Sequence, residues 1–394
     1  MENTKRPTMV DSLGQKYKAS QILGIEESRL SHFKEQDPFN PEWTLEGYIS
    51  NSERLYGSML LLRINDFLTE QVIISTPKQK YPFDKLGRFK FPSTKHINVY
   101  EKLDGTNILA YSYTIKKKRW ITYKTRLTPV LNKSRWGDWE KMWREMLDRY
   151  GMLYYEIEKW AECGINLSFE LFGSRNKHLI EYTVPLDTAL LFGIRNDIAN
   201  PKIIDPEKLR VPIAIPVAKL HVSIRSGEDL YSWYQKLRKE REALNRFTED
   251  GFIIGEEGAV WYLTDINDRL HQYKMKPESI EAIHWANSGM AKNAITTTVI
   301  NAYEMSDEVT YEKVKELLLE EFDERNIEIR KDLILKVMGE VKNRIEFRER
   351  VFQLYGELKL DLQGDKAGTM RALSSYFDRK DMRKVFNLLN DCLF

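Results

Sequence analysis

The chain predicts an α+β fold: antiparallel sheets up to about residue 289, then helices to the end. Three observations predict it. Short β-type runs bounded by Gly, Pro, Asn or Asp recur from Gly57 to Arg195. Few helical stretches interrupt them. After Pro277, period-two alternation stops and apolar residues recur at helical spacing. At 394 residues the chain exceeds one ordinary core, so more than one domain is expected.

Residues 1–50 are mixed and polar, with Pro38-Phe-Asn-Pro41 as a break, and are expected to be an N-terminal extension packed on the domain that follows. The strand-like runs are Gly57-Ile64, Gln71-Ser75, His96-Glu101, Ile108-Thr114, Arg119-Lys124, Asn166-Phe172 and Thr188-Ile194. Between them Trp139, Met142, Trp143, Met146 and Tyr150 mark a helix with one apolar face. A second helix covers about Gly227 to Phe247, and strand-like runs return at Gly251-Ile254 and Ala259-Leu263. This places one domain over 51–289. Beyond it, Val314, Leu317, Leu318 and Phe322 form one helical stripe, and Ile334, Val337, Met338, Val341 and Ile345 another. Residues 290–394 are therefore expected to be a separate all-helical domain.

Composition excludes several classes. The net charge of +2 hides 61 basic and 59 acidic residues, so the chain is no basic nucleic-acid coat, although a local basic cleft remains open. Two cysteines, Cys163 and Cys392, build no disulfide framework, and the six histidines fall in no metal motif. Met1 to Lys18 lacks an apolar core, so no signal peptide is expected, and no apolar run is long enough to span a bilayer. A reducing, cytoplasmic setting without membrane partners follows.

The chemistry concentrates in a few segments. Val99-Tyr-Glu-Lys-Leu-Asp-Gly-Thr-Asn-Ile108 sets Lys102, Asp104 and Gly105 between β-prone residues, as for a lysine nucleophile at a strand-to-turn junction. A lysine must lose its proton to attack phosphorus, and nearby cations promote that. Lys274 and Lys276 in Tyr273-Lys-Met-Lys-Pro277 alternate on a short strand, share one face, and are candidates for that task and for neutralising phosphate oxygens. Glu170 in Leu167-Ser-Phe-Glu-Leu-Phe-Gly173 is a carboxylate on an apolar strand that needs a partner, and a ribose hydroxyl is a natural one. Glu257 in Glu256-Glu-Gly-Ala-Val260 is a candidate Mg²⁺ ligand on nucleotide phosphates, with Mn²⁺ as an alternative ion. Arg126 in Tyr123-Lys-Thr-Arg-Leu-Thr-Pro129 is placed to grip a phosphate or a terminal ribose.

In this order, Lys-x-Asp-Gly, Phe-Glu-x-Phe-Gly, Glu-Gly-x-Val and Lys-x-Lys resemble the covalent nucleotidyltransferase superfamily of DNA ligases, RNA ligases and mRNA capping enzymes. The resemblance leans to ATP-dependent RNA ligases of the T-even phage tRNA-repair type. Glu101 before the lysine, Thr106 after Gly105, Arg175-Asn176, Tyr182 and Leu190-Leu-Phe-Gly-Ile-Arg195 carry it, together with Ser75-Thr-Pro-Lys-Gln-Lys-Tyr-Pro-Phe83. It implies an ATP-grasp-like antiparallel nucleotidyltransferase domain before the helices. It further implies Glu101 and Phe192 against the adenine, Lys80 on a phosphate, and Gly105 and Gly258 in the nucleotide site. The family's upstream Arg-Gly step reads Tyr56-Gly57 here, which leaves Arg54 or Arg63 to supply the arginine. The implied activity joins RNA 5′-phosphate and 3′-hydroxyl ends through lysyl-AMP and RNA-adenylate, with RNA, tRNA included, as partner. A monomer is expected, in a host cytoplasm if the source is viral.

Each residue also has a plainer reading: Lys102 as a solvated lysine before a turn, Glu170 as a paired core carboxylate, Lys274 and Lys276 as an edge-strand solvation device, Phe192 as core. Two rival functions stay open. A DNA ligase or capping guanylyltransferase usually places a β-barrel where this chain reads as helix. An inactive nucleic-acid-binding homologue would not need Lys102.

Overall fold

The computed structural model describes residues 9–83, 88–131, 133–134, 137–176, 178–209, 216–225, 227–248, 253–280, 292–306, 308–319, 322, 324–362 and 364–393. The expected boundary near 290 and the start of the run at Gly251 lie outside these residues. The chain divides into two compact units: Met1–Asn132 with Glu140–Glu281, and Lys133–Trp139 with Ala282–Phe394.

In the first unit the strands are β1 (Leu30–Gln36), β2 (Thr44–Ser50), β3 (Met59–Ile64), β4 (Phe67–Ile73), β5 (Thr94–Glu101), β6 (Thr106–Ile115) and β7 (Lys118–Lys124). After β8 (Lys133–Ser134) and β9 (Gly137–Asp138) come β10 (Ile165–Phe172), β11 (Asp187–Arg195), β12 (Ile203–Ile204), β13 (Leu220–Arg225), β14 (Arg246–Phe247), β15 (Ile253–Ile254), β16 (Ala259–Asp265) and β17 (Leu270–Met275). They form a β1-β2-β3-β4 sheet, a β12-β11-β10-β6-β7 sheet and a β13-β5-β16-β17 sheet, with antiparallel neighbours throughout. The architecture is a mixed α and β one with antiparallel sheets.

All three sheets contribute to one core, where Leu45, Tyr48 and Leu60 meet Leu109, Tyr111 and Phe192, and Tyr100, Val260 and Tyr262. Strand β16 reads Ala-Val-Trp-Tyr-Leu because both its faces are buried. Val260 and Tyr262 point into that core, while Ala259, Trp261 and Leu263 pack with Val99, Met275, Tyr234 and Leu237. The last two belong to the helix Leu230–Leu244, whose first turn is capped by Asp229 accepting from Tyr231 and Ser232 amides at 3.1 Å. The tryptophan-rich helix packs as expected: Trp143 is fully buried, 5.3 Å from Phe169 and 5.4 Å from Tyr123 between ring centres.

Two features depart from the sequence reading. Residues 1–50 were expected as an extension, yet β2 is laddered to β3 from Leu45–Ile64 to Ile49–Met59, so half of the first sheet lies before residue 51. β1 and β2 are hard to see because alternate positions of β1 carry His32, Lys34 and Gln36, all exposed, with Glu46 of β2 opposite Lys34, and the apolar part, Leu45, Tyr48 and Ile49, is short. The second unit includes the β8–β9 pair as well as helices, so it is not purely helical. From residue 292 onward every described element is a helix. Val314, Leu317 and Leu318 share a core with Ile334, Val337, Val341 and Ile345, the two stripes read from spacing. No described helix is long and apolar enough to cross a membrane.

Candidate active site

The site begins where β5 ends. The Lys102 amide donates to the Gly258 carbonyl at 3.0 Å, which ties the turn after β5 to the turn before β16. Gly258 has φ +145°, and a Cβ there would lie 2.1 Å from the Met275 carbonyl oxygen, so only glycine fits. This close approach brings Glu257 between two lysines. The Lys102 ammonium donates to Glu257 Oε2, and the Lys276 ammonium donates to Oε1 at 2.9 Å. Glu257 is buried at 6 % exposure, so burial pushes its carboxyl up. The charges and hydrogen bonds of Lys102 and Lys276 outweigh that and hold it at about 2. It is ionised at neutral pH and lies within a chain of alternating charges.

Asp104 faces the loop after β10. Its Oδ2 accepts from the Leu179 and Ile180 amides at 2.6 and 2.7 Å, and its own amide donates to the Tyr182 hydroxyl at 2.8 Å. Burial, then the charge of Glu257, raises its carboxyl, against His178, the Ile180 amide and Lys102. Asp104 thus fixes the 178–182 loop against the Lys102 turn. Gly105 donates its amide to Glu170 Oε1 at 3.1 Å. A Cβ on Gly105 would sit 2.1 Å from the Leu171 carbonyl oxygen, so the turn and β10 meet only because that side chain is absent. Glu170 is pushed up to about 7 by burial, with Lys102 and Arg126 opposing and Glu257 and Asp104 adding. Arg126 Nε is buried with no hydrogen-bond partner among the described residues. A buried orphan donor beside a carboxylate and near further cations fits an anionic group such as a phosphate.

Lys102, Gly105, Glu170, Glu257, Gly258 and Lys276 are therefore brought together by the Lys102 turn and its direct contacts, and Asp104 and Arg126 act on this group by their charges. Others of the expected set are elsewhere. The Lys274 ammonium lies 4.6 Å above the Tyr81 ring, and its amide donates to the Lys80 carbonyl at 2.8 Å. Lys80 is exposed and lines, with Tyr81, Phe91 and Tyr273, a groove of about 370 Å³. Glu101 sits by Glu256, Lys219 and Arg241, its carboxyl raised by burial and then by Glu256. Arg54 is exposed beside Gly24, and no described hydrogen bond or ion pair joins it to the site. Phe192 was expected against an adenine. It has no exposed surface and packs edge-on to Tyr262 at 6.3 Å, as core.

Glu257 also departs from its expected metal role, because each of its oxygens is taken by an ammonium group. No group of three or more His, Cys, Asp or Glu among the described residues is placed to hold an ion. The donor set does not by itself fit Mg²⁺.

Sequence reasoning missed Lys124. It is fully buried, and its ammonium donates to the carbonyls of Thr125, Arg126 and Gly57 at 2.7, 3.0 and 3.1 Å. Burial and then Arg126 lower its pKa to about 7. The only signal was its place two residues before Arg126 at the end of an apolar strand. Tyr182 was noted only as part of a resemblance, with no hint that it holds the Asp104 amide.

No protein-family model matches the chain, and no curated protein does. Among solved structures it is similar to two of an archaeal ATP-dependent RNA ligase, described as form 1 and form 2. One has 15% identity over 87% of this chain and 83% of that chain, with a TM-score of 0.44. The other has 14% identity over 98% and 100%, with a TM-score of 0.46. It is also similar to a putative ATP-dependent DNA ligase from Aquifex aeolicus, at 11% identity over 84% and 78%, TM-score 0.41.

Proposed function

We propose that this chain is an ATP-dependent RNA ligase that works through a lysyl-AMP intermediate at Lys102. The observation that carries the proposal is the Lys102–Glu257–Lys276 chain, set between the glycines Gly105 and Gly258. A lysine fixed by a buried carboxylate, with a second cation on the same carboxylate, is suited to attack on phosphorus. The carboxylate aims the amine, and the second cation supplies positive charge beside the phosphate it would attack.

In this reading Lys102 Nζ forms a bond to the α-phosphorus of ATP, the bond to the bridging β-oxygen breaks, and pyrophosphate leaves. The lysine proton passes to solvent water, since Glu257 is held at about 2 and stays ionised. The AMP then moves to the 5′-phosphate of a strand, and a 3′-hydroxyl displaces it as the strand is sealed. Lys276 and Arg126 stabilise charge on the transferred phosphate. Glu170, poised near neutral pH, accepts from a ribose hydroxyl when ionised. A divalent cation would supply further charge neutralisation on the phosphates, carried in with them rather than held by a built protein site. RNA over DNA, a tRNA target and a repair role rest on the motif resemblance.

The test is covalent labelling. With α-labelled ATP and Mg²⁺ the protein should retain label through denaturation, and Lys102→Ala should abolish it. Label from GTP but not ATP would favour capping chemistry. Ligation of 5′-phosphorylated single-stranded RNA, nicked duplex RNA and DNA side by side then identifies the strand; sealing of DNA alone would overturn the RNA reading.

A further inference from the structure

Strand β6 starts one residue after Gly105 and ends at a tip the proposed chemistry does not use. Ile115 pairs with Lys118, so Lys116 and Lys117 form a two-residue hairpin loop. Both have positive φ, +50° and +65°. Two such residues in succession make a type I′ turn, which favours Asn-Gly, Asp-Gly or Gly-Gly because a Cβ is strained there. The chain uses cheaper residues at comparable tips: Asn65, at φ +49°, turns β3 into β4, and Asp268, at +59°, turns β16 into β17. Among the described hairpin tips with positive-φ residues, lysines stand at this one alone.

The tip also concentrates charge. Lys116, Lys117, Lys118 and Arg119 are consecutive and all exposed. None of the four makes an ion pair among the described residues. Two are held by aromatic rings instead: Lys116 lies 4.7 Å from the Phe67 ring centre and Lys118 lies 3.9 Å from that of Trp120. Trp120 is itself braced edge-on by Trp43 at 5.8 Å. The hairpin is anchored below the tip, where the Gln71 side chain exchanges two 2.7 Å hydrogen bonds with the Thr114 backbone. A strained turn bearing four unpaired cations, two of them pre-positioned on rings, is costly unless a polyanion meets it.

We propose that this tip is a phosphate-binding finger for the strand whose end is joined at Lys102, an inference that takes the identity of its ligand from the ligase reading. Ten residues of β6 span roughly 33 Å, so the contacts fall about ten phosphates from the reacting end on a regular strand. The finger would bind backbone without reading sequence, and would favour long strands over short ones.

The variant Lys116→Asn with Lys117→Gly installs a preferred turn while removing two charges, so misfolding cannot imitate the result. Binding is measured against salt for a 5′-phosphorylated RNA of about 20 nucleotides and one of about three, whose roughly 10 Å length cannot reach the tip. The expected outcome is weaker binding of the long RNA, a plot of log affinity against log salt shallower by about 1.5, and unchanged binding of the short RNA and labelling by ATP. Superimposable curves for the long RNA would overturn the finger. Loss of affinity for anionic lipid vesicles with no change on RNA would also overturn it. A wild-type protein that labels with ATP yet binds no strand refutes the finger and leaves adenylylation standing. One that binds RNA through the tip but never labels refutes the ligase and leaves the finger.

Discussion

The two ends of strand β6 use lysine in opposite ways. Beside its first residue, Lys102 and Lys276 share one buried carboxylate, and every charge has an opposite within hydrogen-bond reach. At its far end four exposed cations make no ion pair among the described residues, and two of them lie against aromatic rings. In the first region removal of one member leaves an uncompensated charge out of water. In the second, removal of a lysine leaves no buried opposite charge unpaired. The same side chain is therefore structural and chemical at one end and disposable for stability at the other, and mutations should separate the two.

The largest effect should come from Glu257→Ala. It strands two ammonium groups around a buried void, and breaking such a pair typically costs about 3–5 kcal/mol, read from the urea midpoint. A loss under about 1 kcal/mol would mean that the two lysines are solvated. Lys276→Met should cost less, because Lys102 still faces Glu257, but should slow ATP labelling. A wild-type labelling rate would remove Lys276 from the mechanism.

Acid sensitivity comes next. Glu257 is depressed from the ordinary value of about 4.3 to about 2, so its contribution is complete above roughly pH 5 and fades as pH falls toward 2. Glu257→Gln should lack that segment of the melting-temperature profile; an unchanged slope there would assign acid lability to other carboxylates. Glu170 carries the opposite sign. Raised to about 7, it favours the fold fully below about pH 4 and loses that contribution as pH rises through 7. Glu170→Gln should accordingly melt higher than wild type at pH 8 and gain little at pH 5. Parallel shifts at both values would show that Glu170 is not held near neutrality.

The smallest effect belongs to the far end. Lys116→Asn with Lys117→Gly should raise stability by about 1 kcal/mol through relief of two left-handed residues. Any destabilisation there would mean that the lysines hold the hairpin rather than serve a ligand.

The contrast also explains what was legible in the sequence. β5, β6, β7, β10 and β11 announce themselves through apolar runs, and the helical stripes after residue 292 through their spacing. Lys102, Glu170 and Glu257 were legible because a charged residue within three positions of a glycine at the edge of such a run has few structural uses. What stayed hidden depended on contacts far apart in the chain. Nothing local says that both oxygens of Glu257 go to lysines, that Lys274 turns to Tyr81, or that Phe192 is sealed in the core. β1 and β2 were hidden because a half-exposed strand with lysine and glutamate on its wet face looks like a polar extension.

The account rests on Lys102 as nucleophile. Mass spectrometry of the intact protein after incubation with ATP, followed by peptide mapping, tests this most directly. The account predicts one AMP adduct per chain, on the peptide that contains Lys102, released by acid and restored by fresh ATP. An adduct on any other residue, or none under conditions where the protein still seals RNA, would contradict it.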